Sequence, residues 1–524
     1  MLTPIIMQQE RKLPIGIQTF EDIRRNGYLY VDKTDLVWRM VSMGKPYFLS
    51  RPRRFGKSLL LSTLEAYFQG KKELFEGLAI EKLEAKWEAF PVLHLDLNAR
   101  RYATGEDLVG ILNQHLESWE ALYGDVKRDR APEERFAYVI EQAYRQSGHP
   151  VVVLVDEYDK PLLQALQDKE LMESYRTTLK AFYGVLKSCD RYLRFVFLTG
   201  VAKFAQVSVF SDLNQLNDIS LDWDFATLCG MTHRELVENF MPELERMAEV
   251  NDMTVDEVTA TMTRQYDGYH FHPKGEGVFN PFSLLSSLSK KEFGSYWFQT
   301  GTPSFLVQLL KESDYDLRTL MEGVEADVTS FSEYRAERSN PIPLIYQSGY
   351  LTIKDFDRQF RQYRLEFPNE EVRYGFLNFL IPFYTAVGDS ERNFHVVKFI
   401  RELRSGDVDA FMRRFEAFFA DFPYELNDRT ERHYQVVIYL VFKLMGQFIQ
   451  AEVHSARGRA DAVVQTPDRV YIFEFKLDGS AEEALLQIEE MGYARPFAAD
   501  RREVVRVGVE FSTERRNVKR WLVE

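Results

Sequence analysis

The sequence predicts an α/β protein in three parts: a parallel-sheet region over residues 1–235, a mainly helical region over 236–422 and a smaller α/β region over 423–524. Three observations predict this order. Short apolar runs at 46–50, 92–97, 151–155 and 194–198 alternate with helical stretches such as 59–67 and 106–123, the alternation that a parallel sheet with crossover helices requires. From about 232 to 422 the pattern turns helical and aromatic, with punctuation at Asp267-Gly268, Asn280-Pro281, Asn340-Pro341 and Phe422-Pro423. A shorter α/β unit closes the chain: helix 431–448, strands near 451–454, 460–464 and 470–476, helix 481–492 and a strand near 504–510.

Composition bounds the function classes. At 524 residues the chain exceeds what one hydrophobic core serves, so two to four domains are expected. A 14% aromatic content opposes extensive disorder. Two cysteines, Cys189 and Cys229, exclude a disulfide scaffold and fit a reducing compartment. The opening MLTPIIMQQERK lacks the apolar core of a signal peptide. The most apolar stretch, 436–449 (VVIYLVFKLMGQFI), is too short to span a bilayer and is interrupted by Lys443 and Gln447. A soluble, cytoplasmic protein with no membrane partner is expected.

The net charge of −14 argues against a generally basic nucleic-acid coat. Residues 425–524 carry 17 acidic and 15 basic residues, so the tail does not share the acidity. Its local basic stretch (Arg501, Arg502, Arg506, Arg515, Arg516, Lys519, Arg520) reads equally as a solvated helix face or a phosphate track.

The first chemical motif follows the run Tyr47-Phe48-Leu49-Ser50. Arg51-Pro52-Arg53-Arg54-Phe55-Gly56-Lys57-Ser58 leads into Leu59-Leu60-Leu61, the strand–loop–helix context of a Walker A motif. Gly56 lets backbone amides close on phosphates, and the helix N-terminus adds partial positive charge. Lys57 reaches the β- and γ-phosphates, and Ser58 offers a hydroxyl to Mg²⁺. Arg53, Arg54, Phe55 and Leu59 complete the expected ATP-contacting loop. Arg51 stands where the first glycine of G-x-x-x-x-G-K-[ST] belongs, so a variant loop conformation is expected.

Corroboration comes from Val151-Val152-Val153-Leu154-Val155-Asp156-Glu157, an apolar strand ending in two acids. In this Walker B form Asp156 holds the Mg²⁺ shell and Glu157 polarises the attacking water. A third run, Phe195-Val196-Phe197-Leu198, ends at Thr199-Gly200, where Thr199 either senses the γ-phosphate or opens a plain turn.

The second motif lies near the C-terminus. Two β-rich runs flank Thr466-Pro467-Asp468-Arg469, a turn sequence, so a hairpin is expected. A turn centred on Pro467-Asp468 places Asp461 opposite Glu474. Strand alternation puts Glu474 and Lys476 on one face and Phe473 and Phe475 on the other. Two carboxylates and an ammonium then converge, the hard-oxygen arrangement that suits Mg²⁺ and metal-assisted phosphodiester hydrolysis. Glu431 and Glu452 are candidates for additional carboxylates, and Gln487 lies on the following helix. The plain alternative is an exposed hairpin with a cross-strand ion pair.

The chain resembles bacterial proteins that pair an AAA-ATPase-like P-loop NTPase domain with a C-terminal PD-(D/E)XK nuclease-superfamily domain. The matching stretches are Tyr30-Val31-Asp32-Lys33-Thr34, Arg51 to Ser58, Asp156-Glu157-Tyr158-Asp159-Lys160-Pro161, Leu198-Thr199-Gly200-Val201 and Asn280-Pro281-Phe282-Ser283. They continue with Tyr296-Trp297-Phe298, Thr300-Gly301-Thr302-Pro303, Gln347-Ser348-Gly349-Tyr350-Leu351, Gly458-Arg459-Ala460-Asp461 and Phe473-Glu474-Phe475-Lys476-Leu477. The resemblance implies a restriction-endonuclease-like α/β fold for the C-terminal part and makes Arg51 a family trait. It gives Asp461, Glu474 and Lys476 the nuclease acids and lysine, with Glu431 and Gln487 as the nearest helical assistants. Ala460 replaces the literal proline of the superfamily name. Assembly into a homo-oligomer is a further implication, because AAA-type sites are often completed by a neighbour.

Other features read as structural. His270-Phe271-His272 lacks further ligands at metal spacing, and Tyr296-Trp297-Phe298 reads as core before it reads as a base-stacking platform. Three functions stay open: an ATP-dependent or ATP-regulated Mg²⁺-dependent nuclease on DNA or RNA, a regulatory ATPase switch that binds nucleic acid without cutting it, and a scaffold with vestigial sites.

Overall fold

The computed structural model describes residues 10–203, 215–299, 306, 310, 317–328, 340–384, 392–420, 431–446, 450–453, 460–515 and 517–524. The chain packs as two compact units, Met1–Tyr315 with Gly323–Glu371, and Asp316–Glu322 with Val372–Glu524. Of the mainly helical linking region expected over 236–422, residues up to 315 and 323–371 fall in the first unit and 316–322 with those from 372 in the second.

The first unit is built on a five-stranded sheet of β1 (Pro46–Ser50), β2 (Val92–Asp96), β3 (Val151–Asp156), β4 (Leu193–Gly200) and β5 (Asn217–Asp218). Its order is β2-β3-β4-β1-β5, with every neighbour parallel. All six residues of β3 are buried, as a central parallel strand covered on both faces requires. One face buries Leu93, Leu95, Val151 and Val153 against the helices Gly105–Tyr123, Pro132–Ser147 and Lys169–Ser188. Local chemistry fixes two of those helices. Thr104 and Asp107 form a capping box at the first, and Pro132 at the first turn and Gly148 at the C-cap bound the second. The helix Lys57–Phe68 covers the opposite face, where its Glu65 meets His94 of β2 at 2.9 Å.

A helical cluster of His233–Val250, Val255–Tyr266 and Pro281–Lys290 forms a second core in this unit. The short strands β6 (Met231–Thr232) and β7 (Val278–Phe279) pair beside it. The middle region is mainly helical, as expected, and within it lies a three-stranded antiparallel sheet of β8 (Val324–Asp327), β9 (Thr352–Asp357) and β10 (Gln362–Glu366). Its β9–β10 turn lacks the usual glycine signal. Asp357 accepts the amides of Gln359 and Phe360, and Arg361 takes the left-handed conformation at φ 55°.

The second unit carries a mixed sheet of β11 (Gln450–Val453), β12 (Ala462–Gln465), β13 (Arg469–Leu477), β14 (Glu503–Ser512) and β15 (Asn517–Val523), in that spatial order. Only the β13–β14 pair is parallel, and the helix Ala481–Glu490 connects it. Arg506 lies in β14, and Lys519 and Arg520 lie in the edge strand β15, so these basic residues do not form a helix face. Arg502, Arg506, Lys519 and Arg520 pair with Asp500, Glu524, Glu510 and Glu482, which neutralises much of the suggested phosphate track. Among the described residues, no helix is long and apolar enough to cross a membrane.

Candidate nucleotide and nuclease sites

The phosphate loop begins with a buried arginine. Arg51 is 1% exposed and donates to the carbonyls of Ser50 (2.9 Å), Ser220 (2.8 Å) and Phe225 (3.1 Å), with its guanidinium 3.9 Å from the Phe271 ring centroid. It ties the loop to the segment after β5, a task that a glycine at this position could not perform. Arg53 lies over Trp297 and Arg54 over Phe282. The Phe55 side chain is core, packed on Tyr269 and Phe271. Phe55 thus has only its backbone to offer a phosphate.

Gly56 adopts φ 87° and caps the helix Lys57–Phe68, a conformation for which glycine has no Cβ penalty. A Cβ built on Gly56 meets nothing within 4 Å, so open space adjoins the loop there. Lys57 is 4% exposed, donates to the carbonyls of Arg51 (3.0 Å) and Pro52 (3.2 Å), and lies 3.4 Å from Glu157. Ser58 Oγ donates to Asp156 Oδ2 at 2.6 Å, and Thr199 Oγ1 donates to Asp156 Oδ1 at 2.8 Å. Glu157 is held at φ 52°, an uncommon conformation for a non-glycine residue, just past the end of β3. Leu59 follows on the helix as a half-buried residue.

These groups fit a nucleotide with Mg²⁺: helix N-terminal amides beside open space, a lysine at the loop, and a hydroxyl and carboxylate as hard oxygen donors. Sequence reasoning gave Asp159 no part. It is fully buried, accepts amides of Val201 and Ala202, and is pushed up to about 7 by burial and by the nearby Glu157 carboxylate. The repeated acids of Asp156-Glu157-Tyr158-Asp159 were the available signal, but spacing cannot show where a third acid points.

The second site lies on the β12–β13 hairpin. Ala462 pairs with Phe473 and Gln465 with Val470, a register that continues to Asp461 opposite Glu474. The Asp461 amide donates to Glu474 Oε2 at 3.3 Å, and the Phe475 amide donates to Asp461 Oδ2 at 2.9 Å. Phe473 and Phe475 pack with Phe442 on one face of β13. On the other, Lys476 Nζ is 3.8 Å from Glu474 Oε1. Gln487 joins them, donating to Glu474 and accepting from Lys476. Gly508, paired with Glu474, permits this approach: a Cβ there would sit 2.3 Å from the Ala481 carbonyl at the start of the helix that carries Gln487.

Glu474 is 3% exposed, and burial together with the Asp461 carboxylate pushes it up to about 7. Burial also raises Asp461. Two acids whose charged forms are disfavoured together are a donor set that a hard divalent cation relieves. Among the described residues no group of three or more His, Cys, Asp or Glu gathers as metal ligands. The backbone of Glu431 opens the helix Glu431–Met445 and that of Glu452 lies in β11, while their side chains, and the stretch Gly458-Arg459, lie outside the described residues. Tyr493, not singled out from the sequence, places its hydroxyl 3.4 Å from Gln487 Nε2. His270 and His272 engage neighbouring backbone, with the Gly268 carbonyl and the Lys274 amide.

Comparisons with known proteins match the regions in which both sites lie. The family model described as "Predicted AAA-ATPase" matches residues 14–210, and that of the "PD-(D/E)XK nuclease superfamily" matches residues 429–521. An "Uncharacterized protein in vnfD 5'region" of Azotobacter chroococcum mcd 1 is 38% identical, covering 98% of this chain and 99% of its own length. With that full-length likeness and those two matches in the same chain, the protein belongs to the family that joins a predicted AAA-ATPase domain to a PD-(D/E)XK nuclease-superfamily domain.

Proposed function

We propose that this protein is an ATP-dependent or ATP-regulated, Mg²⁺-dependent nuclease acting on DNA or RNA. The observation that carries the reading is the convergence of Asp461, Glu474 and Lys476, cross-linked by Gln487, in a chain that also holds Ser58, Thr199 and Asp156 together.

In the first site the amides after Gly56 and the Lys57 ammonium hold phosphate oxygens, with the neighbouring backbone of Arg53, Arg54 and Phe55 shaping the loop. Ser58 and Asp156 would hold Mg²⁺, and Glu157 would polarise the attacking water. Thr199 fixes the Asp156 carboxylate. In the second site Asp461 and Glu474 would hold the cation, with Glu431 a further candidate ligand, and Lys476 would orient the nucleophile. Bound Mg²⁺ supplies Lewis acidity and a more acidic water. The Gln487 amide restrains both Glu474 and Lys476. A homo-oligomer is part of the reading, checked by light scattering with and without ATP.

The test is incubation of the purified protein with single- and double-stranded DNA and RNA, with and without ATP, in Mg²⁺ or Mn²⁺. Metal-dependent cutting lost in Asp461→Ala supports the reading. Nucleic-acid binding without cutting under every condition would replace it with a regulatory ATPase switch.

A further inference from the structure

We infer that Asp159 is a positioning residue of the nucleotide site: it clamps the turn after β4 and so sets Thr199 against Asp156. The inference rests on the proposed ATP site and adds a residue to it.

The end of β4 and the two residues after it, Thr199 to Ala202, are held from several directions. Asp159 Oδ1 and Oδ2 accept the Val201 amide at 3.2 and 3.1 Å, and Oδ2 accepts the Ala202 amide. The preceding residue grips the same stretch: the Tyr158 amide donates to the Thr199 carbonyl at 3.0 Å, and its hydroxyl to the Ala202 carbonyl at 2.7 Å. A Cβ on Gly200 would come within 2.5 Å of Asp159 Oδ1 and 2.6 Å of the Tyr158 ring, which shows how closely the stretch is pressed against this pair. The phosphate loop attaches to the same stretch, with the Arg51 amide donating to the Gly200 carbonyl at 3.1 Å and Ser50 Oγ to the Val201 carbonyl at 2.7 Å.

Asp159 is 0% exposed, so a cheaper apolar residue would fill its place if packing were its only task. Its carboxylate instead terminates two amides that strand pairing leaves over. The consequence falls on Thr199, whose hydroxyl bonds Asp156 directly beside the clamped peptides. Loosening the turn frees that hydroxyl and the Asp156 oxygen it holds. Displacements of this kind act on reaction geometry more than on ground-state binding.

The experiment compares the full chain with Asp159→Asn, Tyr158→Phe, Thr199→Val and the double variant Asp159→Asn/Thr199→Val. Asparagine keeps the size but presents an amide NH₂ to at least one N–H donor. Without nucleotide, hydrogen–deuterium exchange at the Val201 and Ala202 amides is expected to quicken in Asp159→Asn. With nucleotide, its affinity for a fluorescent ATP analogue is expected to stay within about threefold while kcat for hydrolysis falls on the order of 10- to 100-fold. The double variant is expected to lose no more than the worse single one, as residues acting as a unit do. Parent exchange and parent kcat in Asp159→Asn, or losses that multiply in the double variant, overturn the inference. Where Asp159→Asn does not fold, Tyr158→Phe decides, with a smaller kcat loss at unchanged KM expected and parent kcat overturning. A parent that neither binds nor hydrolyses ATP overturns the nucleotide reading and this inference with it.

Discussion

Ser58 Oγ donates to Asp156 Oδ2 at 2.6 Å, although β1, which leads into the loop and helix of Ser58, and β3, which ends in Asp156, are not neighbours: β4 runs between them. The intervening strand contributes Thr199, which donates to the other oxygen of the same carboxylate. Asp156 is thus held from the phosphate loop on one side and from the end of β4 on the other. In the proposed site, such a restraint would orient the carboxylate toward Mg²⁺ before any ligand arrives.

From that geometry, Lys57→Ala is expected to weaken ATP binding by about tenfold or more, because the ammonium is the loop's charge for the phosphates. Titration with a fluorescent ATP analogue checks it, and parent affinity would refute the loop assignment. Glu157→Gln is expected to bind ATP like the parent but to hydrolyse it roughly 10²- to 10⁴-fold more slowly, the range for loss of a positioned base. Steady-state hydrolysis separates the two.

At the hairpin, Asp461→Ala and Glu474→Ala are each expected to lower metal-dependent cleavage on the order of 10²-fold or more while sparing ATP hydrolysis. Cleavage of labelled DNA and RNA measures the first property and phosphate release the second. Equal cutting by parent and variant removes these acids from the site.

Glu371 supplies a pH prediction. It is 2% exposed, accepts the Trp297 amide at 2.7 Å, and is pushed by burial from an ordinary 4.5 up to about 7. The folded protein therefore keeps a proton that the unfolded chain releases between those values. Stability is expected to fall as pH rises through this window and to stay lower above it. Glu371→Gln removes the ionisation, so it is expected to unfold at higher denaturant than the parent at pH 8, by on the order of 1–3 kcal/mol. The advantage shrinks toward pH 5. A difference that is constant with pH would show that Glu371 does not titrate as described.

Arg51→Met is expected to destabilise the first unit by about 3 kcal/mol or more, since the Ser50, Ser220 and Phe225 carbonyls lose a shared donor inside the protein. Arg51→Lys is expected to recover only part of this, because an ammonium cannot reproduce the planar fork over Phe271. Denaturant unfolding followed by tryptophan fluorescence compares the three proteins.

Periodicity and motif spacing carried the sequence reading far where the signals are local. Strands β1 to β4 lie where their apolar runs stand, and the turn at Pro467-Asp468 carried the pairing of Ala462 with Phe473. The β8–β10 sheet was not legible, because Arg361 does the turn's work without a glycine. Of the two readings of the basic stretch, the helix face fails at Lys519 and Arg520: their strand β15 forms because β14 offers an open edge, and nothing local to the tail announces that.

The sequence by itself determined the chemical inventory of the protein: a lysine and serine opening a helix, acids ending an apolar strand, and two acids and a lysine on a hairpin. Such information is local, written in the alternation of side chains and in turn residues. Only the tertiary structure decided that Thr199 bridges to Asp156, that Arg51 is buried scaffolding, that Asp159 turns inward to the Val201 and Ala202 amides, and that Gln487 reaches both Glu474 and Lys476. Those relationships depend on sheet order and helix placement, which arise from burial summed over many distant residues and are carried by no short segment.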